Sequence, residues 1–145
     1  MPSFRARSTT RVGVGTDLVL IADVADSIAT FGERYVRRVY SPAEIATCAL
    51  PAGGFDAARL AARFAAKEAV VKALQLTGAV PYPEIEVRNT ALGSPLVTIG
   101  GSLADAGRDR GLCDVSLSMS HEGDYAAAVV VALFDTRNFQ EVGSV

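Results

Sequence analysis

Glu68 and Lys72 stand one helical turn apart in Arg63-Phe64-Ala65-Ala66-Lys67-Glu68-Ala69-Val70-Val71-Lys72. They set a carboxylate beside an ammonium on the flank of an apolar stripe. Leu60, Phe64, Val71 and Leu74 define that stripe by their helical spacing, and Lys67 projects almost into its middle. A surface helix normally turns its ionisable groups to the opposite face. Opposite charges held at the edge of a core suit a site that binds a metal and phosphates. The helix alone also allows a plainer arrangement, in which both lysines snorkel and Glu68–Lys72 is an exposed ion pair. A chemical role therefore requires partners elsewhere in the chain.

Two segments offer them. In Val12-Gly13-Val14-Gly15-Thr16-Asp17, strand alternation sets Gly13, Gly15 and Asp17 on one face. Asp17 thus ends a row without side chains, which a ligand or another backbone can approach closely. No third glycine follows at the dinucleotide spacing and no Walker lysine-serine pair is present, so neither nucleotide fingerprint applies. Asp17 is either a ligand or a helix N-cap. Near the other end, Ser118-Met119-Ser120-His121-Glu122 closes an alternating strand, and His121 is the single histidine. A lone histidine is either a satisfied structural residue or part of a site, and the strand end with Ser120 beside it leaves the two evenly balanced.

Taken together and in order, the three segments resemble the phosphopantetheinyl transferase superfamily, in its small holo-acyl-carrier-protein synthase type. The matching residues are Gly13-Val14-Gly15-Thr16-Asp17-Leu18-Val19, Arg63-Phe64-Ala65-Ala66-Lys67-Glu68-Ala69 with Lys72-Ala73, and Ser118-Met119-Ser120-His121-Glu122. Weaker likeness runs through Val39-Tyr40-Ser41-Pro42-Ala43-Glu44, Glu84-Ile85-Glu86-Val87 and Gly93-Ser94-Pro95. The resemblance implies transfer of the 4′-phosphopantetheine arm of coenzyme A to a serine of an apo acyl carrier protein, with release of adenosine 3′,5′-bisphosphate. It implies Asp17 and Glu68 as ligands of Mg2+, with Glu68, or a water it orients, as a possible base. Lys72 is implied against the phosphates, and Ser120, His121, Gly93 and Pro95 on coenzyme A. Lys67 matches the motif and takes either a structural or a nucleotide-binding role. The resemblance also implies a homotrimer with sites shared between subunits.

Three positions depart from the family pattern. Asp23 stands where a carrier-binding basic residue is usual, Ser94 where the turn carries a cation, and Leu20 where an acidic residue follows the first strand. Arg34, Arg37 and Arg38 offer a substitute carrier-binding patch, or plain compensation of a helix dipole. Two non-enzyme readings accompany the transferase: a non-catalytic coenzyme A or nucleotide-binding module, and an assembly subunit.

The elements that must position these residues follow from local signals. The expected order is a strand over 12–17, a helix over 21–38, a short helix from Ser41, a long helix from Asp56 to Leu76, a hairpin of 85–88 with 96–99, a helix over 102–110, and strands over 114–119 and 125–134. Ser41-Pro42-Ala43-Glu44 has a cap, a first-turn proline and the capping-box glutamate. The fold class is α+β, a small antiparallel sheet with helices packed on one side.

The 145 residues suffice for one core, placed at 12–134, with a flexible arm at 1–11 and a tail at 135–145. A net charge of −2 gives no electrostatic case for nucleic acid. The apolar run from Tyr125 to Phe134 is too short to span a membrane and reads as a buried strand. Cys48 and Cys113 lack metal-ligand spacing and suit a reduced, cytoplasmic thiol pair.

Overall fold

The computed structural model describes residues 9–137, so most of the expected arm and tail, including Phe139 and Val142, lies outside the described residues. Strands β1 (Thr10–Leu20), β4 (Leu112–Glu122) and β5 (Tyr125–Asp135) form one antiparallel sheet in the order β1-β5-β4. Each is longer than the sequence signals implied. Thr10 and Arg11 already pair with Asp135 and Phe134, so the pairing of β1 with β5 runs past the ends of the expected strands.

Helix α4 (Ala57–Ala73) lies across one face of this sheet. The contact is unusually close because both partners lack bulk. A Cβ on Gly13 would stand 2.2 Å from the Ala73 carbonyl oxygen, and one on Gly15 would stand 1.9 Å from that of Ala69. The bare strand face is thus filled by the backbone of α4, the second of the two occupants that the alternation allowed. On the helix, the alanines 61, 62, 65, 66, 69 and 73 are buried together with Leu60, Lys67 and Val70, while Phe64 and Val71 of the expected stripe are only partly buried. β5 is not buried throughout. Ala126, Ala128, Val130, Ala132 and Phe134 point into the core, and Val129, Val131 and Leu133 point outward.

The expected helix over 21–38 is two helices, α1 (Ile21–Phe31) and α2 (Glu33–Val39). Gly32 separates them at φ 58°, a backbone region that residues with a Cβ rarely adopt. Helix α3 (Pro42–Cys48) begins with a complete capping box: the Glu44 N–H donates to Ser41 Oγ at 3.3 Å, and the Ser41 N–H donates to Glu44 Oε2 at 2.8 Å. A 3₁₀ turn at Tyr82–Glu84 leads into β2 (Ile85–Asn89), which pairs with β3 (Pro95–Ile99). This hairpin is a separate two-stranded sheet. Helix α5 (Gly101–Asp109) then returns the chain to β4.

Candidate active site

Two of the expected site residues converge where β1 and α4 meet. Asp17 lies near the end of β1 and Glu68 in the middle of α4, and both line a cleft of about 420 Å³ with Leu20, Asp23, Tyr35 and Phe64. The close glycine–alanine packing is what brings these two elements, and hence these two carboxylates, to a common opening. Asp23, which replaces the basic residue of the family pattern, adds a third carboxylate to the cleft wall.

Lys72 does not pair with Glu68, as the plain exposed-pair reading has it. Its Nζ donates to Asp17 Oδ1 at 3.0 Å and to the Thr16 carbonyl at 2.9 Å, tying the last turn of α4 to β1. The ammonium remains half exposed beside the cleft. Glu68 has another partner, the Tyr82 hydroxyl, which donates to Oε1. Burial, followed by this bond and the charges of Glu68 and Asp17, pushes the Tyr82 phenol up to about 12. Among the described residues, Glu68 Oε2 has no protein hydrogen-bond partner.

The Lys67 side chain is fully buried, an environment in keeping with the structural of its two readings. Its Nζ pairs with Glu44 Oε2 at 2.8 Å and donates to the backbone carbonyls of Tyr82 and Ile85. Desolvation holds its pKa below the usual lysine range against the upward pull of Glu44. Glu44 in turn accepts from the Val87 N–H at 3.0 Å, so one buried ion pair joins α3, α4 and the start of the hairpin.

Ser120 and His121 line a different cleft, with Arg59, Ala62, Arg63, Asn89 and Met119. Arg63 belongs to the quoted motif, but the sequence did not single it out for a role. It is 3% exposed; its guanidinium donates to Asn89 Oδ1 at 3.2 Å and to the Arg59 carbonyl at 3.3 Å, while its Nε has no partner. A buried N–H left unpaired beside an open cleft favours an anionic acceptor. Asn89 also donates to the Gly93 carbonyl at 3.0 Å, so the Gly93-Ser94-Pro95 turn is tied to this basic cleft and not to the carboxylate one. Nothing in the sequence marked Arg63 as interior, since arginine is usually exposed.

Arg34, Arg37 and Arg38 are exposed on α2, with Arg37 paired to Glu33 at 3.1 Å. The structure gives them no contact with either cleft. Cys48 is buried and Cys113 exposed, and both are free thiols. No helix among the described residues is long and apolar enough to cross a membrane.

The 4′-phosphopantetheinyl transferase superfamily profile matches residues 13–130, a span that contains both clefts. The chain belongs to this superfamily. It is 41% identical over 120 residues to the holo-[acyl-carrier-protein] synthase of Dehalococcoides mccartyi, covering 81% of this chain and 95% of that relative. Among solved structures, the Neisseria meningitidis holo-[acyl-carrier-protein] synthase superposes with a TM-score of 0.74 at 38% identity, covering 83% of this chain and 96% of that one. The Helicobacter pylori holo-[acyl-carrier-protein] synthase in complex with coenzyme A gives a TM-score of 0.71 at 30% identity, covering 82% and 98%. The α+β architecture and the transferase class drawn from the sequence both agree with these relatives.

Proposed function

We propose that this chain is a holo-acyl-carrier-protein synthase, moving the 4′-phosphopantetheine group of coenzyme A to a serine of an apo acyl carrier protein and releasing adenosine 3′,5′-bisphosphate. The observation that carries the reading is the common cleft of Asp17 and Glu68, with Lys72 held at Asp17. Phosphoryl transfer of this kind needs positioning and charge stabilisation more than covalent help.

The cleft suits Mg2+. It offers two carboxylates from separate elements and has no Cys or His in its lining. Among the described residues no group of three or more His, Cys, Asp or Glu lies close enough together to hold a metal, so this carboxylate pair would need substrate oxygens and water to complete the ion's shell. Asp17 and Glu68 would hold the ion, and the chemistry it would supply there is neutralisation of the coenzyme A diphosphate. Lys72, half exposed beside Asp17, faces phosphate oxygens and steadies charge on the departing nucleotide. Glu68, or a water it orients, takes the proton of the carrier serine. Arg63, His121 and Ser120 line a cleft suited to the anionic end of coenzyme A, and the unpaired Arg63 Nε supports that use. The exposed arginines of α2 serve as the contact for an acidic carrier surface.

A homotrimer completes this reading. Val12, Val14, Leu18, Val129, Val131 and Leu133 form an apolar patch on the uncovered face of the sheet. Within one chain the carboxylate cleft and the Ser120–His121 cleft share no lining residue. Coenzyme A lying across a subunit boundary would use one cleft from each copy. The two free thiols suit a reducing, cytoplasmic setting.

The test is intact-mass spectrometry of apo carriers from fatty-acid, polyketide and peptide assembly, each incubated with the protein, coenzyme A and Mg2+. A phosphopantetheine mass gain on a carrier serine is expected, and it also identifies the preferred carrier. Bound coenzyme A without mass gain on any carrier would instead make the chain a binding module.

A further inference from the structure

Helix α4 grips Tyr82 from two sides. Lys67 and Glu68 are consecutive residues, so one projects into the core and the other into the cleft. From the core, Lys67 Nζ donates to the Tyr82 backbone carbonyl at 2.9 Å. At the cleft, the Tyr82 hydroxyl donates to Glu68 Oε1. The Tyr82 ring also packs at 6.1 Å from the Phe64 ring, itself part of the cleft wall. The clamp is anchored further back, because Glu44 holds Lys67 while accepting from the backbone N–H groups of Ser41 and Val87.

We infer that Tyr82 is a positioning residue of the transfer site, whose hydroxyl fixes Glu68 Oε1 and thereby presents Oε2 to the cleft. The inference rests on the carboxylate-pair reading above. A glutamate on a helix has three rotatable side-chain torsions, and an exposed one samples many rotamers. One hydrogen bond from a group that is itself fixed selects among them. Partners of this kind, which orient a metal ligand without touching the metal, typically matter 10–100-fold in metal affinity or activity, roughly. The backbone bond to Lys67 and the ring contact to Phe64 do not depend on the hydroxyl. Tyr82→Phe therefore removes the orienting bond and leaves the packing in place.

The experiment measures Mn2+ binding by electron paramagnetic resonance with coenzyme A present, on full-length wild type, Tyr82→Phe and Glu68→Gln. Thermal melting and steady-state kinetics are run alongside. The expected result is a Tyr82→Phe protein that melts with the wild type, binds Mn2+ about 10-fold more weakly, and loses kcat with little change in KM for coenzyme A. Tyr82→Phe binding Mn2+ as tightly as wild type, where Glu68→Gln abolishes binding, overturns the positioning role alone. Wild type without Glu68-dependent Mn2+ binding overturns both this inference and the carboxylate-pair reading.

Discussion

Replacing Gly15 with alanine adds one methyl group at the point where β1 touches α4. That methyl would sit 1.9 Å from the Ala69 carbonyl oxygen and 2.7 Å from the Ala73 nitrogen, both backbone atoms that cannot rotate away. Restoring even a 3.0 Å separation from Ala69 requires the helix to retreat by about 1.1 Å, the difference between those distances. β1 carries Asp17 and α4 carries Glu68 and Lys72, so the same retreat pulls the two sides of the candidate site apart. Overpacking of this kind costs about 1–3 kcal/mol of stability. A displacement near 1 Å at a transfer site costs on the order of 10²-fold in rate. The assay pairs urea denaturation with carrier-transfer kinetics on the same Gly15→Ala preparation. The expected outcome is a folded protein with a lower urea midpoint and a kcat/KM reduced by far more than the unfolded fraction explains. A Gly15→Ala protein with wild-type stability and wild-type kcat/KM would refute the argument that bare backbone contact sets the site's geometry.

Removing one partner of the buried Lys67–Glu44 pair leaves an uncompensated charge in the core, and Lys67→Met is expected to cost about 3–5 kcal/mol. Urea unfolding at constant m-value measures it, and a loss near zero would mean that Glu44 is satisfied without Lys67. Glu84 accepts from the Leu103 N–H at 2.9 Å and from Ser102 Oγ at 2.9 Å, and these bonds, that of Leu103 first, hold its carboxyl below the ordinary 4.5. Its contribution is therefore complete above that value and lost as pH falls through the lower folded one. Wild type should lose more stability on acidification below about pH 4.5 than Glu84→Gln does, as followed by circular dichroism. Val131→Asp places a charge in the exposed apolar face and is expected to convert the proposed trimer to monomers by light scattering, whereas a trimer mass unchanged by the substitution would place the subunit contact elsewhere.

Local signals were the legible ones. The capping box of α3 and the start of α4 follow from residues within a few positions of each other and formed where the sequence placed them, whereas α4 ends at Ala73, short of the expected Leu76, because Gln75 turns to φ 53°. Gly13 and Gly15 announced a close approach, although only the structure shows that α4 is what approaches. Gly32 was passed over because a single glycine inside a periodic segment does not reveal the sign of its φ. The candidate site was legible as a set of residues and not as a network. Lys72 had two carboxylates in reach, one turn away or across the fold, and the partner across the fold prevailed. Tyr82 reaches Glu68 only through the turn that follows α4, and no periodicity connects them. Lys67 and Arg63 have long cationic side chains that ordinarily snorkel outward. Their burial depends on Glu44 and Asn89, which are contributed by other elements.

In the proposed transfer reaction, Asp17 and Glu68 act together in the chemistry and not in holding the fold. The most direct measurement compares coenzyme A binding by calorimetry with carrier transfer by intact mass, for wild type, Asp17→Asn and Glu68→Gln under saturating Mg2+. Both variants are expected to fold and to retain coenzyme A binding while transfer falls on the order of 10²-fold or more. Transfer at the wild-type rate by either variant would contradict that joint role.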